Sequence, residues 1–456
     1  MKIAREELRG KSGCLKLLFL LLLSWLSLSG SSLAQTANVP ILEKSSDPQK
    51  EYLLTEEKPR EYRFLWVTRF QLQTTKDISL VVERAKKYNY NALFVQVFAL
   101  GEAFYQSQLA PWGKGVSPDL DPLKELIGQA KKNEIEVHAW MNMAFVWGNK
   151  DLPSDPKHVL RQHPEWALRD KKGRSILDYS VWEKKWAKLS GIYLDLSIPE
   201  AREYLAQLCL EVARNYEVDG LHFDYVRYPN NVLGYSREAI EEFQKEFQID
   251  PSSLVLNKGI ALKVFGKERY QELLTAWDAF RCRQPGLLIA KVREEVQRYR
   301  RQIILSAAVV ADLEQAKKNY FQDWGEWLKE GLLDVVVPMS YAKNNEEVQQ
   351  QIGQVVQLAH DFNRGAVIGL GAWRQNPGEV AEKVLFTRKV REEMGFRCLL
   401  GISLFSYDAL SKEGDYLAEL RRTIFPTPAL LPRLFWREER AQAAFSEEIP
   451  TASSIW

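Results

Sequence analysis

The chain has 456 residues, which is long enough for one large parallel barrel or for several domains of ordinary size. Its 62 Lys and Arg residues nearly balance its 60 Asp and Glu residues, so the formal net charge is only +2 at pH 7. This balance argues against nucleic acid and anionic membrane surfaces as partners, and it favours a neutral ligand.

The N-terminus has the pattern of a secretory signal peptide. An apolar run at 17–28 follows five basic residues and is followed by small residues at 30–34. We therefore predict cleavage after Ala34 and export to the periplasm, the cell surface or the medium. A spanning helix needs about 20 apolar residues, so an uncleaved membrane anchor is the less favoured alternative.

Composition also divides the rest of the chain. Residues 35–60 are polar and contain three prolines, so we predict a linker there, a barrel domain at 61–425 and a C-terminal tail at 426–456. Three cysteines follow the predicted cleavage site: Cys209, Cys282 and Cys398. They show no close pair and no metal-type spacing, which indicates buried thiols, or at most one disulfide and one free thiol.

One pattern repeats along the predicted barrel domain. Amphipathic segments rich in Glu and Lys end in a short polar or glycine turn, and an apolar, β-rich run follows directly. Such alternation predicts parallel strands joined by helical crossovers. Eight runs fit, at 64–70, 92–98, 136–143, 221–226, 303–310, 333–341, 366–373 and 399–407.

Eight parallel strands are the number that closes a (β/α)8 TIM barrel, so we predict this α/β fold. An open doubly wound sheet is the alternative, but no glycine-rich phosphate loop follows the first run. The connections 146–197 and 230–301, after strands three and four, are predicted to be long insertions on the catalytic face.

The fourth run, DGLHFDYVRYP at 219–229, carries the most unusual residues. Because side chains alternate along a strand, His222 and Asp224 share one face while Leu221 and Phe223 share the other. This pattern predicts a strand that delivers the carboxyl group of Asp224 to the mouth of the barrel. A buried structural ion pair with a neighbouring arginine is the alternative.

Polar and aromatic residues also accumulate at the ends of the other strands. Buried polar groups without partners cost about 1–3 kcal/mol each, so we predict that these residues line one mouth. The predicted substrate-binding residues are Arg69, Gln96, Trp140, Asn142, His222, Tyr225, Arg227, Tyr341, Trp373 and Asp408.

Seven stretches together resemble the glycosyl-hydrolase-like 10 family. They are FLWVTRF at 64–70, ALFVQVF at 92–98, EVHAWMNM at 136–143, LDLSIPEAREYL at 194–205, DGLHFDYVRYP at 219–229, DVVVPMSY at 334–341 and GISLFSYD at 401–408. The resemblance spans about residues 60–425. It implies a (β/α)8 barrel in an exported bacterial protein that hydrolyses or binds a polysaccharide.

The fourth strand is also similar to the DGxDxDxE motif of family-eighteen chitinases. His222 replaces the middle aspartate of that motif, and Val226 stands where its acid belongs. The chitinase mechanism is therefore not predicted. The spacing of His222 and Asp224 is also similar to that of amylase-type barrels.

Glycoside cleavage needs an acid for the leaving oxygen and a carboxylate that attacks the sugar or activates water. We predict Asp224 and Asp312 as this pair, because neighbouring strand ends place carboxyl groups about 5–10 Å apart. Asp408 is an alternative partner, while Asp178 and Asp195 lie in an insertion. Retention and inversion both stay open. A nearby Arg227 is expected to lower the pKa of Asp224.

Other chemistries have little support in the sequence. The five histidines are scattered, so neither a metal nor another cofactor is predicted, and no G-x-S-x-G turn follows a strand. We predict an exported glycoside hydrolase that acts on a cell-wall or extracellular polysaccharide, as a monomer by default. The alternative is a non-catalytic carbohydrate-binding barrel, for which the missing acid at Val226 is the main argument.

Overall fold

The computed structural model describes residues 58–149, 151–412 and 414–437. The predicted signal peptide, most of the predicted linker and the end of the predicted tail lie outside these residues. The strands are β1 (Tyr62–Val67), β2 (Ala92–Ala99), β3 (Glu102–Ala103), β4 (Glu136–Asn142), β5 (Phe145–Trp147), β6 (Ile192–Tyr193), β7 (Gly220–Asp224), β8 (Ile304–Val310), β9 (Val335–Ser340), β10 (Gly365–Leu370) and β11 (Leu399–Leu404).

Helices connect these strands. The first seven are α1 (Thr75–Lys87), α2 (Pro122–Lys132), α3 (Val159–Gln162), α4 (Val181–Trp186), α5 (Pro199–Asn215), α6 (Arg237–Phe247) and α7 (Pro251–Leu256). The others are α8 (Lys258–Tyr299), α9 (Leu313–Tyr320), α10 (Trp324–Lys329), α11 (Asn345–Asp361), α12 (Pro377–Met394), α13 (Tyr407–Leu410) and α14 (Tyr416–Thr423). Within the described residues, no helix has both the length and the apolar character needed to cross a bilayer.

Eight of the strands form a closed parallel barrel, which confirms the predicted fold. Their order is β1-β11-β10-β9-β8-β7-β4-β2, and β2 pairs with β1 to close the ring. All eight coincide with the apolar runs that the sequence marks, because a strand covered on both faces needs apolar side chains throughout. The short strand β3 adds to β2 in antiparallel orientation.

Aromatic rings fill much of the barrel interior. Phe64 of β1 stacks on Phe94 of β2 at 4.0 Å between ring centroids, and Trp66 meets Trp140 of β4 edge-on at 4.8 Å. Such contacts stabilise the core by about 0.5–1.5 kcal/mol each beyond the area that they bury. Side chains therefore fill the barrel interior, and the rim at the ends of the strands is open.

Helices cover the outside of the barrel with one apolar face each. In α5, the side chains of Leu205, Leu208, Cys209 and Val212 recur at helical spacing and are all buried. Cys209 and Cys398 are buried free thiols, and Cys282 is a partly buried one, so no disulfide joins the three. Packing against helices therefore holds these elements together.

Two insertions rise on the C-terminal side of the barrel, where the sequence predicts them. The first follows β4 and contains the small β5-β6 sheet with α3 and α4. The second follows β7 and contains α6, α7 and the first part of α8, whose path bends at Gly266. Both insertions therefore start at the strands that carry Trp140 and Asp224.

The described part of the predicted tail packs on the opposite end of the barrel. Leu430 pairs with Arg60 in a short parallel bridge, and Trp436 is only 1% exposed in the interior cluster. A side chain at Gly365 would come within 2.6 Å of the Trp436 ring, so glycine makes room for it. Residues 426–437 therefore close the bottom of the barrel.

We expect Trp436→Ala to lower the free energy of unfolding by about 3–5 kcal/mol, because it leaves a cavity in the interior cluster. Urea denaturation followed by circular dichroism measures this loss. The matched control is Trp186→Ala, since Trp186 is 86% exposed, and there we expect a change within about 0.5 kcal/mol. Equal effects of the two substitutions would contradict this packing.

Candidate active site

Strand β7 carries the central residue of the candidate site. Its outward side chains, Leu221 and Phe223, belong to the core between the barrel and its helices. Its inward side chains are therefore His222 and Asp224, as alternation predicts. In the parallel register Trp140 lies beside His222 and Asn142 beside Asp224, so β4 forms the neighbouring part of the rim.

The carboxyl group of Asp224 is almost covered by protein, with 7% of the residue exposed. The backbone N–H of Tyr225 donates a hydrogen bond to its Oδ1 at 2.7 Å. The indole of Trp140 is close enough to lower the pKa of Asp224, although its N–H makes no hydrogen bond of normal geometry. Asp224 is thus held in place from its own strand and from β4.

Burial raises the pKa of Asp224 above the ordinary aspartate value of 3.8. The positive charge of Arg227 lowers this pKa, as the sequence leads one to expect, but burial has the larger effect. No ion pair joins the two side chains within the described residues. A carboxyl group with a raised pKa suits a proton donor better than a permanently ionised nucleophile.

The backbone turns sharply directly after Asp224. Tyr225 has φ of +54°, a left-handed conformation that costs a residue with a side chain roughly 1–2 kcal/mol. The turn places the Tyr225 ring 4.9 Å from Phe145 of the first insertion. It also brings the guanidinium of Arg227 to 5.0 Å from the centre of the same ring. The strained backbone position therefore lies directly after Asp224, at the mouth of the barrel.

Tyr341 and Trp373 form an aromatic wall at the ends of β9 and β10. Their rings meet edge-on at 4.9 Å, and both residues are partly exposed. Burial raises the pKa of the Tyr341 hydroxyl, and the charge of Asp224 raises it further. Tyr341 therefore lies within electrostatic range of Asp224, and the wall borders the same opening.

A second group of predicted residues gathers where β1, β2 and β11 end. The side-chain oxygen of Gln96 accepts a hydrogen bond from the Arg69 guanidinium at 3.3 Å. Asp408 accepts hydrogen bonds from the hydroxyl of Thr68 at 2.7 Å and from the amide of Gln71 at 2.9 Å. These contacts join the first, second and eighth strands at the rim.

His222 and Asn142 are among the predicted site residues that are buried. His222 is fully buried, its Nδ1 lies 2.8 Å from the hydroxyl of Ser306, and burial lowers its pKa well below the usual value. Asn142 is also buried, and its side-chain oxygen has no hydrogen-bond partner in the described part of the chain. His222 therefore lies beneath Asp224, and Asn142 lies beside it on the neighbouring strand.

Asp312 occupies a different environment from Asp224. It is exposed, and its carboxylate accepts a hydrogen bond from the backbone N–H of Gln315 at 2.8 Å, which begins helix α9. Within the described residues no contact joins Asp312 to Asp224. Its catalytic role stays a prediction, while helix capping accounts for its position.

The structure adds three residues that the sequence did not mark. Glu102 begins the short strand β3 near Arg69, and burial raises its pKa. Tyr193 of β6 lies 6.0 Å from the Tyr225 ring. Trp186 lies on α4 four residues after Trp182. Residues four apart on a helix lie on the same face, so this spacing could have marked the pair in the sequence.

The barrel also has a cavity at its opposite end. It has a volume of about 690 Å³ and is bordered by the first residues of β4 and by the turn before β7, including Glu136, Asp219 and Arg300. The N-terminal face of such barrels serves stability, whereas chemistry takes place at the C-terminal face. We therefore place the candidate site at Asp224.

Known proteins resemble this chain in sequence and in fold. A sequence model described as glycosyl hydrolase-like 10 matches residues 61–376. Glycosyl hydrolase YngK of Bacillus subtilis (strain 168) is 21% identical over 448 residues, covering 86% of this chain and 77% of that protein. Glycosyl hydrolase DigH of Escherichia coli (strain K12) is 24% identical over 279 residues, covering 57% of this chain and 56% of that protein.

Solved structures share the architecture. The PgaB (BpsB) glycoside hydrolase domain from Bordetella bronchiseptica has a TM-score of 0.58 to this chain at 15% identity. The match covers 80% of this chain and 99% of that domain. At this level of identity, the likeness establishes the fold.

The raised pKa of Asp224 predicts how stability depends on pH. Its contribution to stability is fully present below the ordinary value of 3.8 and is lost as the pH rises through the folded-state pKa. Asparagine does not ionise, so Asp224→Asn is expected to become more stable relative to the parent chain as the pH rises. Melting temperatures of both chains between about pH 4 and 8 measure this trend.

The control is Asp361→Asn, an exposed position at the end of α11 on the opposite side of the barrel. A stability difference between Asp224→Asn and the parent that stays flat or shrinks with rising pH would contradict the effect of burial.

Proposed function

Because the chain belongs to the glycosyl hydrolase-like 10 family, we propose that it is an exported glycoside hydrolase. It cleaves O-glycosidic bonds of a cell-wall or extracellular polysaccharide. The observation that carries this proposal is the nearly buried carboxyl group of Asp224, whose pKa is raised, at the mouth of the barrel. Such a group keeps its proton at higher pH and donates it to the leaving oxygen.

The residues around Asp224 have complementary roles in this proposal. Tyr341 and Trp373 offer aromatic faces and a hydroxyl to a sugar ring beside the proton donor. The second carboxyl group attacks the sugar or activates water. Asp312 and Asp408 are the sequence-based candidates for it, and Glu102 is added because it is partly buried near Arg69.

Exposed aromatic residues favour a polymeric substrate. Trp182 and Trp186 of α4 are 69% and 86% exposed and lie on one side of the helix. The amide of Asn230, just past β7, donates a hydrogen bond to the carbonyl of Ala187 at the end of α4 at 2.9 Å. The two tryptophans therefore lie on an element attached to the loop that follows Asp224.

A non-catalytic carbohydrate-binding barrel is the second candidate. This candidate is supported because no second carboxyl group is found among the groups that shift the pKa of Asp224. Export is proposed from the signal-like pattern of residues 1–34.

The cleavage test uses the chain from residue 35 onward with a panel of peptidoglycan and exopolysaccharide fragments, and it measures new reducing ends. We expect Asp224→Asn to lower the cleavage rate by about 10²–10⁴-fold, because the proton donor is lost. In the parent chain, the rate is expected to fall as the pH rises through the pKa of Asp224.

Asp361→Asn is again the matched control and is expected to keep full activity. Replacement of Asp312, Asp408 and Glu102 one at a time by the corresponding amide identifies the second carboxyl group. Binding without cleavage across the whole panel would favour the non-catalytic barrel.

The exposed tryptophans give a separate prediction. We expect Trp182→Ala or Trp186→Ala alone to weaken binding of long polysaccharides by about twofold to tenfold. This factor corresponds to the loss of about 0.5–1.5 kcal/mol of stacking. Short oligosaccharides that fill only the mouth are expected to bind unchanged. Affinity electrophoresis with polymer and calorimetry with oligosaccharides measure the two cases.

Tyr299→Ala, at the end of α8 on the opposite side of the barrel, is the control for removal of an exposed aromatic ring. The same loss of affinity in that variant would mean that α4 has no special part in binding.

A further inference from the structure

Among the described residues, two arginines near the ends of β7 and β10 form no ion pair. The guanidinium of Arg227 lies 5.0 Å from the ring centre of Tyr225 and 5.3 Å from that of Tyr320. Its Nε is buried without a hydrogen-bond partner in the described part of the chain. No carboxylate among the described residues forms an ion pair with this side chain. Ring contacts, and not a charge, hold Arg227 in place.

Arg374 follows β10 and has a similar environment. Its guanidinium lies 5.0 Å from the ring centre of Trp373, and the side chain is exposed. Among the residues that the structure describes, it makes neither an ion pair nor a side-chain hydrogen bond. Some other exposed arginines do form ion pairs, as Arg237 does with Glu241 at 2.6 Å.

Both arginines border the opening beside Asp224. Trp373 packs edge-on against Tyr341 at 4.9 Å. The Tyr341 hydroxyl lies within electrostatic range of both Asp224 and Arg227. Arg227 thus follows the fourth strand close to Asp224, and Arg374 follows the seventh strand and is linked to that region through Trp373 and Tyr341.

Stacked arginines with unused donors are suited to a ligand oxyanion. A guanidinium is planar, always charged and presents N–H groups in pairs that match the two oxygens of a carboxylate. Stacking on aromatic rings fixes the plane of the group, so less entropy is lost when it binds. Among the oxyanions of polysaccharides, the carboxylate of a uronic acid is part of the sugar's own carbon skeleton, whereas sulfate and phosphate groups are esters added to its hydroxyls.

We propose that the mouth recognises an acidic polysaccharide, in which a sugar next to the cleaved bond carries a carboxylate that Arg227 and Arg374 bind. This inference rests on the proposed function and specifies its substrate class. The net charge near zero favours a neutral ligand, whereas this proposal has an acidic one. The two differ because the net charge of the whole chain does not describe the local charge at the mouth.

A simpler role for Arg227 is to adjust the charge of Asp224. Removal of the arginine would then change the behaviour of every substrate alike. Recognition of a carboxylate instead predicts a loss that depends on the ligand, which separates the two roles.

The test uses the Asp224→Asn chain, which binds without cleaving, and titration calorimetry at low salt. The probes are a β-linked glucuronic acid hexasaccharide and the matching glucose hexasaccharide, which differ only in the carboxylates. We expect the acidic hexasaccharide to bind at least about tenfold more tightly. Addition of Arg227→Gln or Arg374→Gln is expected to remove most of this preference and to leave binding of the glucose form unchanged.

Arg298→Gln is the matched control, since Arg298 is an exposed arginine near the end of α8 at the opposite side of the barrel. Circular dichroism verifies that every variant is folded, and Arg227→Lys tests whether charge alone suffices. A partial preference in that variant supports recognition by the planar fork.

The outcomes distinguish this inference from the proposed function. Equal affinity for the two hexasaccharides overturns the acidic substrate and leaves the glycan site intact. If neither hexasaccharide binds but a neutral polysaccharide of the panel is cleaved in a reaction that needs Asp224, the acidic substrate is again overturned and the glycoside hydrolase is kept. Binding of neither probe together with no cleavage in the panel overturns both.

Discussion

The hydrogen bonds on both edges of β1 are the constraint on which the site depends. β1 pairs with β2 on one side and with β11 on the other, so the ring of parallel strands has no free edge. Closure brings the carboxyl ends of all eight strands to one rim. Residues as distant in sequence as Thr68 and Asp408 therefore meet there through a hydrogen bond of 2.7 Å. Beneath the rim, Trp140 packs on Trp66 at 4.8 Å and forms an apolar floor for Asp224.

Two opposing effects set the protonation of Asp224 above this floor. Burial disfavours the charged carboxylate, while the positive charge of Arg227 favours it, and burial has the larger effect. The arginine stacks on Tyr225 and Tyr320 and does not pair directly with the carboxylate. A direct pair would keep the carboxylate ionised and occupy the guanidinium. The observed arrangement raises the pKa of Asp224 and leaves an N–H donor of Arg227 unused within the described residues, and these two features link the proposed reaction to the proposed acidic substrate.

The strands were predictable from sequence because a parallel strand covered on both faces reads as an apolar run. Alternation also placed His222 and Asp224 inside the barrel. That Asp312 begins helix α9 was not predicted from the sequence, although Gln315, three residues later, is at the position where the partner of a helix-capping residue is expected. The direction of the pKa shift of Asp224 was not predictable, because it depends on how much protein covers the carboxyl group. The burial of Trp436 depends in the same way on how the chain end docks on the barrel.

Burial raises the pKa of Asp224 more than the positive charge of Arg227 lowers it. The most direct measurement is the pKa of the Asp224 carboxyl carbon in the intact chain by ¹³C NMR titration, with the Asp224→Asn spectrum as the assignment. We expect a midpoint above the ordinary aspartate value of 3.8. A midpoint at or below that value would mean that the arginine outweighs burial, and Asp224 would then not be the proton donor.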